Sequence, residues 1–204
     1  QQLTFDNSAS TTSLTDMPVL VKLHASAADA IHIDYSATQN AGQDLRFVDS
    51  NGTILEYQIE EWNESGYSYV WVKVPQIAAG STTSSMFMYY GNSAAVAGQN
   101  ASAVWSTNYA TVFHMNTNAI DSTGNSNNGL ASNVIVSGGV VGGAGTFNGS
   151  NSYINAQSTP SVDNIFVGGG AISAWINPTG WGEGGYGRIA DKGTSTGGAQ
   201  GWGW

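Results

Sequence analysis

The sequence predicts an all-β protein, and three observations carry that prediction. Apolar and polar residues alternate with a period of two in most segments, which is the pattern of half-buried strands. Glycine makes up 27 of the 204 residues, and glycine-containing turns separate the alternating segments. Helical patterning is confined to residues 26–31 and 94–97, each long enough for a turn or so. Because 41% of the residues are hydrophobic, the strands can pack into an antiparallel β-sandwich with a core.

The charge composition argues against several classes of function. The chain has 5 basic and 14 acidic residues and a formal net charge of -9, which disfavours binding to nucleic acid or to an anionic membrane surface. No apolar run approaches the roughly 18 residues of a membrane-spanning helix, so no membrane insertion is predicted for this segment. The absence of cysteine excludes disulfides, thiolate metal sites and a cysteine nucleophile.

Five alternating segments predict the strands of a first sandwich. Within residues 68–74, the three valines fall on one face and are expected in the core, whereas Trp71 falls on the other face. Asn51-Gly52 is a residue pair typical of tight hairpin turns, so it predicts that the segments on either side of it pair. The five segments are residues 18–23, 44–48, 53–60, 68–74 and 86–90.

A stretch of small and polar residues divides the chain. Residues 93–103 predict a linker between a first domain at 1–92 and a second β-rich domain at 104–204. The second domain has fewer clear alternating segments than the first. Strands are predicted there at residues 111–115, 152–155, 171–176 and 188–193.

Five ordered pieces of the first domain carry a family resemblance. They are Leu3–Asn7, Asp16–Val21, Gln43–Phe47, Tyr69–Pro75 and Met88–Asn92. Together they resemble a domain of unknown function, family 2341, from exported proteins of bacteria and archaea. The resemblance spans residues from about 2 to 92 and implies no set of catalytic residues.

A second set of pieces lies in the second domain. They are Val104–Trp105, Val112–Met115, Asp121–Asn125, Phe147–Tyr153 and Ile172–Trp175. Together they resemble the first part of a laminin-G or concanavalin-A-like jelly roll. The order of the two domains is typical of surface and periplasmic proteins, including some that look like fused energy-transducing proton-channel subunits.

Such a jelly roll usually needs more residues than 104–204 provide. Its sheets would therefore lack their last strands and leave apolar faces and open edges. Three explanations stay open: the sequence is a fragment of a longer protein, the fold is reduced, or a strand from another copy completes the sheet.

Four glutamates close together raise the possibility of a glycoside hydrolase. Such enzymes use two carboxylates about 5–10 Å apart. Glu56 and Glu60 are two strand repeats apart, so about 13 Å would separate their backbone positions, which is too far for a retaining pair. Gln58 stands where a jelly-roll glucanase strand would have its middle aspartate. We therefore expect a solvated acidic strand and turn at Glu56, Glu60, Glu61 and Glu64.

The histidines match no recognised metal-binding spacing. The chain has three of them, His24, His32 and His114, and they are scattered. His114 alternates with Phe113 and Met115, so it is expected to face away from the core. Each histidine is therefore expected to have a structural or surface role.

The loop at residues 121–129 is the candidate metal site. Ca²⁺ prefers oxygen ligands from carboxylates, side-chain amides and backbone carbonyls. Asp121, Asn125 and Asn127 would supply such oxygens, with Asp163 or a residue outside this sequence as a second acid. The alternative is a loop of Asx turns, in which these side chains bond to their own backbone.

Aromatic side chains in glycine-rich sequence are the candidate ligand-binding residues. Trp and Tyr rings stack on the apolar faces of sugars, while Asn, Gln and Asp fix the hydroxyls. The candidates are Trp181, Tyr186, Trp202 and Trp204. A second aromatic group surrounds one hairpin, at Trp62, Tyr67, Tyr69 and Trp71. The alternative is that aromatic rings fill the core, as expected for Trp105 and Trp175.

These observations favour a non-catalytic binding or adhesion module that is secreted, on the cell surface or periplasmic. Gln1 at the first position fits a processed N-terminus. Carbohydrate, as a polysaccharide or glycan, is the favoured ligand by analogy with the lectin-type fold, and calcium is the one cofactor suggested.

Three alternatives stay open. The chain could be a structural subunit of a surface fibre that exchanges strands with other copies of itself, or pair with further domains of the same polypeptide. It could be the ectodomain of an energy-transducing proton-channel-type membrane assembly. Less favoured is the accessory region of a glycoside hydrolase.

Overall fold

The computed structural model describes residues 1–106, 108–192 and 202–203. Their fold is all-β, which confirms the predicted class. Among the described residues, no helix has the length and apolar character needed to cross a membrane. The strands are β1 (Gln2–Thr4), β2 (Leu14–His24), β3 (Arg46–Asp49), β4 (Ile54–Leu55), β5 (Tyr57–Glu61), β6 (Tyr67–Ile77), β7 (Ser85–Tyr89), β8 (Leu130–Ser132), β9 (Ile135–Gly138), β10 (Gly143–Thr146), β11 (Tyr153–Asn155), β12 (Asp191–Lys192) and β13 (Trp202–Gly203), and the short helices are α1 (Ala101–Val104) and α2 (Pro160–Asp163).

Two antiparallel sheets form the first sandwich, which comprises β1 to β7. One sheet has the strand order β1-β7-β3-β4 and the other the order β2-β6-β5. The hairpin predicted at Asn51-Gly52 is confirmed: β3 pairs with β4, and Gly52 has a φ of 88°. The Asp49 carboxylate accepts hydrogen bonds from the backbone N–H groups of Asn51 and Thr53, both at 2.8 Å, and so holds the turn.

The apolar core lies between these two sheets. Val70, Val72 and Val74 of β6 are buried, as their alternation predicts. Phe47 packs edge-on against Tyr57, with 5.5 Å between the ring centroids. The core contains Leu3, Val21, Leu23, Ile33, Tyr35, Leu45, Phe47, Leu55, Tyr57, Val70, Val72, Val74, Ile77, Met86 and Met88.

A strap, defined here as residues 99–129, covers the outer face of the β2-β6-β5 sheet. It begins with the Asn100 backbone N–H donating to the Tyr57 carbonyl at 2.8 Å. Trp105, which is 5% exposed, then packs on Trp71 with 5.1 Å between ring centroids. The Trp105 indole also donates to Gln58 Oε1 at 2.6 Å. The prediction that Trp105 is buried is therefore confirmed.

The second region, residues 130–192, is built differently. It has two short antiparallel pairs of strands, β8–β11 and β9–β10. Its last strand, β12, pairs with β13, which lies after residue 192. Among the described residues, those after Ala119 include no buried large hydrophobic side chain. Instead Leu130, Ile135, Tyr153 and Trp175 are exposed, Trp175 by 97%. No apolar core of its own is therefore present in the described part of this region.

The strand predictions succeed in the first sandwich and fail in part beyond it. All five predicted segments there overlap strands, but the one strand predicted at 53–60 is divided into β4 and β5, which belong to different sheets. Residues 111–115 form no strand; only Phe113 makes an isolated bridge, to Asp121. Residues 171–176 are irregular as well. The prediction that Trp175 lies in the core is wrong, because none of the side chains that the structure describes covers it. Strands β8, β9 and β10 were not predicted. Of the strand predicted at 188–193, the described residues 188–192 include one paired stretch, Asp191–Lys192.

Candidate functional site

Trp181 and Tyr186 lie on one tight loop, here called the aromatic loop (residues 181–188). The backbone N–H of Gly187 donates to the Trp181 carbonyl at 2.6 Å and closes the loop. Its glycines at 182, 184, 185 and 187 all have φ between 62° and 74°, a conformation that other residues rarely adopt. Trp181 is 76% exposed and Tyr186 is 70% exposed. The glycines thus allow the tight backbone of this loop, and the loop presents two aromatic rings to solvent.

Polar groups surround the aromatic loop. The Arg188 guanidinium lies 4.6 Å from the Tyr186 ring centroid, and its Nε lies 3.6 Å from Asp191 Oδ2. The turn at residues 148–152 adjoins the loop, since a Cβ built on Gly149 would lie 3.7 Å from the Gly182 Cα. Asn148 Oδ1 holds this turn by accepting three backbone N–H groups, from residues 150, 151 and 152. Exposed rings and hydrogen-bonding groups thus share one surface, here called the aromatic surface (residues 148–152 and 181–188).

The other two predicted ligand-binding residues, Trp202 and Trp204, lie wholly or partly outside the described structure. The backbone of Trp202 pairs with Lys192 in β12–β13, but its side chain is outside the described part of the structure. Trp204 lies outside the described residues. Trp181 and Tyr186 are therefore the two predicted residues that the structure brings together.

Asp121 is the buried centre of the predicted metal loop. Its carboxylate accepts hydrogen bonds from the backbone N–H groups of Val112, Thr123 and Asn127 and from the Thr123 hydroxyl, at 2.7–3.0 Å. Burial raises the pKa of this carboxyl, but the four hydrogen bonds together outweigh burial and hold the pKa below its ordinary value. The carboxylate is thus stabilised by the protein's own donors, the pattern of the Asx-turn alternative.

Asn125 and Asn127 lie around the same carboxylate and also hold the chain. The Asn125 amide donates to the Tyr109 carbonyl at 2.9 Å and to the Ala110 carbonyl at 3.1 Å. The Asn127 amide donates to Ala110, and its oxygen accepts from the Thr159 hydroxyl at 2.9 Å. Among the described residues, no three His, Asp or Glu side chains form a group that could hold a metal. Calcium binding at this loop stays a prediction.

A buried contact between a carboxyl group and an imidazole joins the strap to the first sandwich. The Glu60 side chain is 1% exposed and pairs with His114 Nδ1, whose side chain is 12% exposed. The Trp71 indole donates to the same Glu60 oxygen at 3.0 Å. The expectation that Glu60 is solvated is therefore wrong. Ile59 pairs with Val70 but Glu61 pairs with Tyr69, so a bulge at Glu60 turns its carboxylate under the strap.

Asn116, which follows His114 in the strap, makes further hydrogen bonds at this contact. The Asn116 amide donates to the Glu60 carbonyl at 2.9 Å, and Asn116 Oδ1 accepts from the Gly143 N–H at 2.6 Å. Glu60 Oε1 and His114 Nε2 are buried without hydrogen-bond partners within the described structure. Trp71 and Trp105 pack over the Glu60–His114 contact, so this contact attaches the strap to the first sandwich. No signal in the sequence links Glu60 with His114.

One comparison with known proteins gives a match. Residues 41–126 match the model of a family described as Domain of unknown function (DUF2341). The match includes the three later of the five resembling pieces, and it continues beyond residue 92 through most of the strap. No curated protein and no solved structure matches the chain. The division into domains at 1–92 and 104–204 stays a prediction.

Proposed function

We propose that this chain is a non-catalytic binding module outside the cytoplasm and that its aromatic surface binds carbohydrate. The single observation that carries the proposal is the exposure of Trp181 and Tyr186 on one closed glycine loop. Exposed aromatic rings that lose little conformational freedom on binding suit the apolar faces of sugar rings.

The surroundings of the two rings support the same class of ligand. Asn148 and Ser152 hold the turn at residues 148–152, and the exposed Ser150 and Asn151 carry a hydroxyl and an amide of the kind that hydrogen-bond to sugar hydroxyls. Arg188 and Asp191 offset each other's charge, so the surface favours a neutral polar ligand over an ion. A relation of residues 104–204 to laminin-G or concanavalin-A-like jelly rolls, which we also propose, would agree with carbohydrate binding.

A glycan array followed by polysaccharide pull-downs tests the proposal. We expect at least one carbohydrate ligand, and we expect Trp181→Ala and Tyr186→Ala each to weaken its binding by about tenfold, or about 1–2 kcal/mol. Tyr89→Ala is the matched control, because Tyr89 is an exposed tyrosine at 55% on the first sandwich. A blank array, or equal losses in all three variants, would contradict the proposal.

Assembly between copies of the chain is a second candidate, favoured by the exposed apolar side chains of the second region. Ile135 is 70% exposed at the start of β9, and Tyr153 is 57% exposed in β11. Short strands with exposed apolar residues can accept a strand from another copy. Light scattering over a dilution series should then show polymers that persist on dilution, whereas a monodisperse monomer would rule this candidate out.

A further inference from the structure

Two of the scattered histidines come together at the end of β2. His24 and His32 are partners in a parallel bridge. The backbone closes the bridge on both sides, since the His24 N–H donates to the Ile31 carbonyl at 3.3 Å and the Ile33 N–H donates to the His24 carbonyl at 3.0 Å. Neighbouring strands lie about 4.8 Å apart, so bridge partners place their side chains next to each other on one face.

That face points away from the core. Leu23 and Ile33, the residues next to the bridge, are fully buried, so by alternation the two histidines take the opposite face. The His24 side chain is 28% exposed, and His32 is half-buried. Both histidines are therefore placed by the backbone bridge and are partly exposed to solvent.

The hydrogen bonding of His24 leaves one ring nitrogen for a ligand. Both partners of the His24 ring meet at Nδ1: Asp29 Oδ2 lies 2.7 Å from it, and the Ser26 backbone N–H donates to it at 3.2 Å. Tyr67 steadies the group, because its ring packs on His24 with 4.5 Å between centroids and its hydroxyl donates to Asp29 Oδ1 at 3.4 Å. A carboxylate on Nδ1 is the usual arrangement behind a histidine that ligates a metal through Nε2.

Nearby charges also favour a cation. Asp29 lies against His24, and Asp34 is two residues beyond His32. Lys22 is an opposing charge, with its Nζ 3.7 Å from the Tyr67 ring centroid. The two carboxylates outnumber this ammonium group.

We propose that His24 and His32 form a surface site for one divalent transition-metal ion, such as Zn²⁺ or Cu²⁺. Imidazole nitrogen is a preferred ligand of both ions. His24 Nε2 and the His32 ring supply two ligands, water supplies the others, and Asp29 positions His24. This site is separate from the aromatic surface and from the loop at Asp121.

Titration with Zn²⁺ followed by calorimetry, at neutral pH and in metal-free buffer, tests the site. We expect one ion per chain for the unaltered protein. His24→Gln and His32→Gln should each weaken binding by at least about tenfold, and Asp29→Asn by about 10- to 100-fold. Glu56→Gln is the matched control, because it removes one exposed carboxylate elsewhere and should leave the affinity unchanged. The double histidine variant should bind no more weakly than a single one, because either change already destroys the chelate.

An NMR experiment on the unaltered protein keeps the proposal testable if a variant does not fold. Zn²⁺ should shift the imidazole resonances of His24 and His32 and leave those of the buried His114 in place. Adding EDTA should reverse the shifts, because the chelator removes the ion from the imidazoles. Absence of one-to-one binding, unchanged affinity in both histidine variants, or shifts confined to His114 would each overturn the proposal.

Discussion

The first sandwich and the second region use their hydrophobic residues in opposite ways. In the first, Phe47, Val70 and Val72 are fully buried between two sheets. In the second, Val140 is 82% exposed and Trp175 is 97% exposed, and both lie outside the strands. The difference shows that apolar residues are buried where a second layer packs on them, and that a segment cannot supply this layer by its own sequence pattern.

Outside the apolar core, polar contacts hold the chain in place. The strap is held by the Glu60–His114 pair and by the donors around Asp121. Beyond it, an ion pair of Lys192 with Asp163 at 2.8 Å is half-exposed and contributes little. Stability should therefore decrease from the sandwich through the strap to the second region.

The largest expected effect comes from a pair of matched truncations. Phe47→Ala should lower the free energy of unfolding by about 3–5 kcal/mol, because it leaves a cavity in a packed core. Trp175→Ala removes a larger ring but should change the free energy of unfolding by less than about 0.5 kcal/mol, because that ring is exposed. Denaturant unfolding of both variants measures the difference. Similar losses would show that Trp175 is covered in solution.

Loss of the contact between Glu60 and His114 under the strap should give the next largest decrease in the free energy of unfolding. Glu60→Gln should cost about 3 kcal/mol, because it leaves His114 buried without its carboxylate. We expect cleavage of the strap by protease at a concentration that leaves the first sandwich intact. A double-mutant cycle with His114→Gln measures the coupling, and additive losses would argue against a direct interaction between the two side chains.

Asp121→Asn should have a smaller effect, of about 1–3 kcal/mol at neutral pH, because an amide cannot accept all four hydrogen bonds. The pKa of Asp121 is lowered in the folded state, so the ionised carboxylate stabilises folding fully above its unfolded pKa of about 4. That contribution is lost as the pH falls through the folded pKa. Unfolding curves from pH 7 to 3 should show wild type and variant converging. A constant difference would contradict this role.

The sequence predicts most of the first sandwich because its signals are local. The alternation in residues 68–74 gives both the strand and its buried face, and Asn51-Gly52 gives the hairpin. The grouping of Trp181 and Tyr186 is also predictable, since glycines and two rings lie within a few residues. These features need no knowledge of distant parts of the chain.

The features that the sequence does not predict depend on distant partners. Glu60 has an acidic neighbour and resembles a solvated position until the bulge in β5 turns it under the strap. His24 and His32 are eight residues apart, and only the parallel bridge brings them together. Trp175 is exposed because no side chain in the described part of the chain packs on it, and its own segment cannot show whether such a partner exists.

Residue-resolved amide hydrogen exchange most directly tests the decrease in stability from the sandwich to the second region. The amides of Val70 and Val72 in β6 should be among the slowest to exchange, with protection near the free energy of global unfolding. Those of the β8–β11 and β9–β10 pairs should exchange faster by orders of magnitude. Equal protection in the two regions would contradict the account, because it would mean that the second region has a cooperative core of its own.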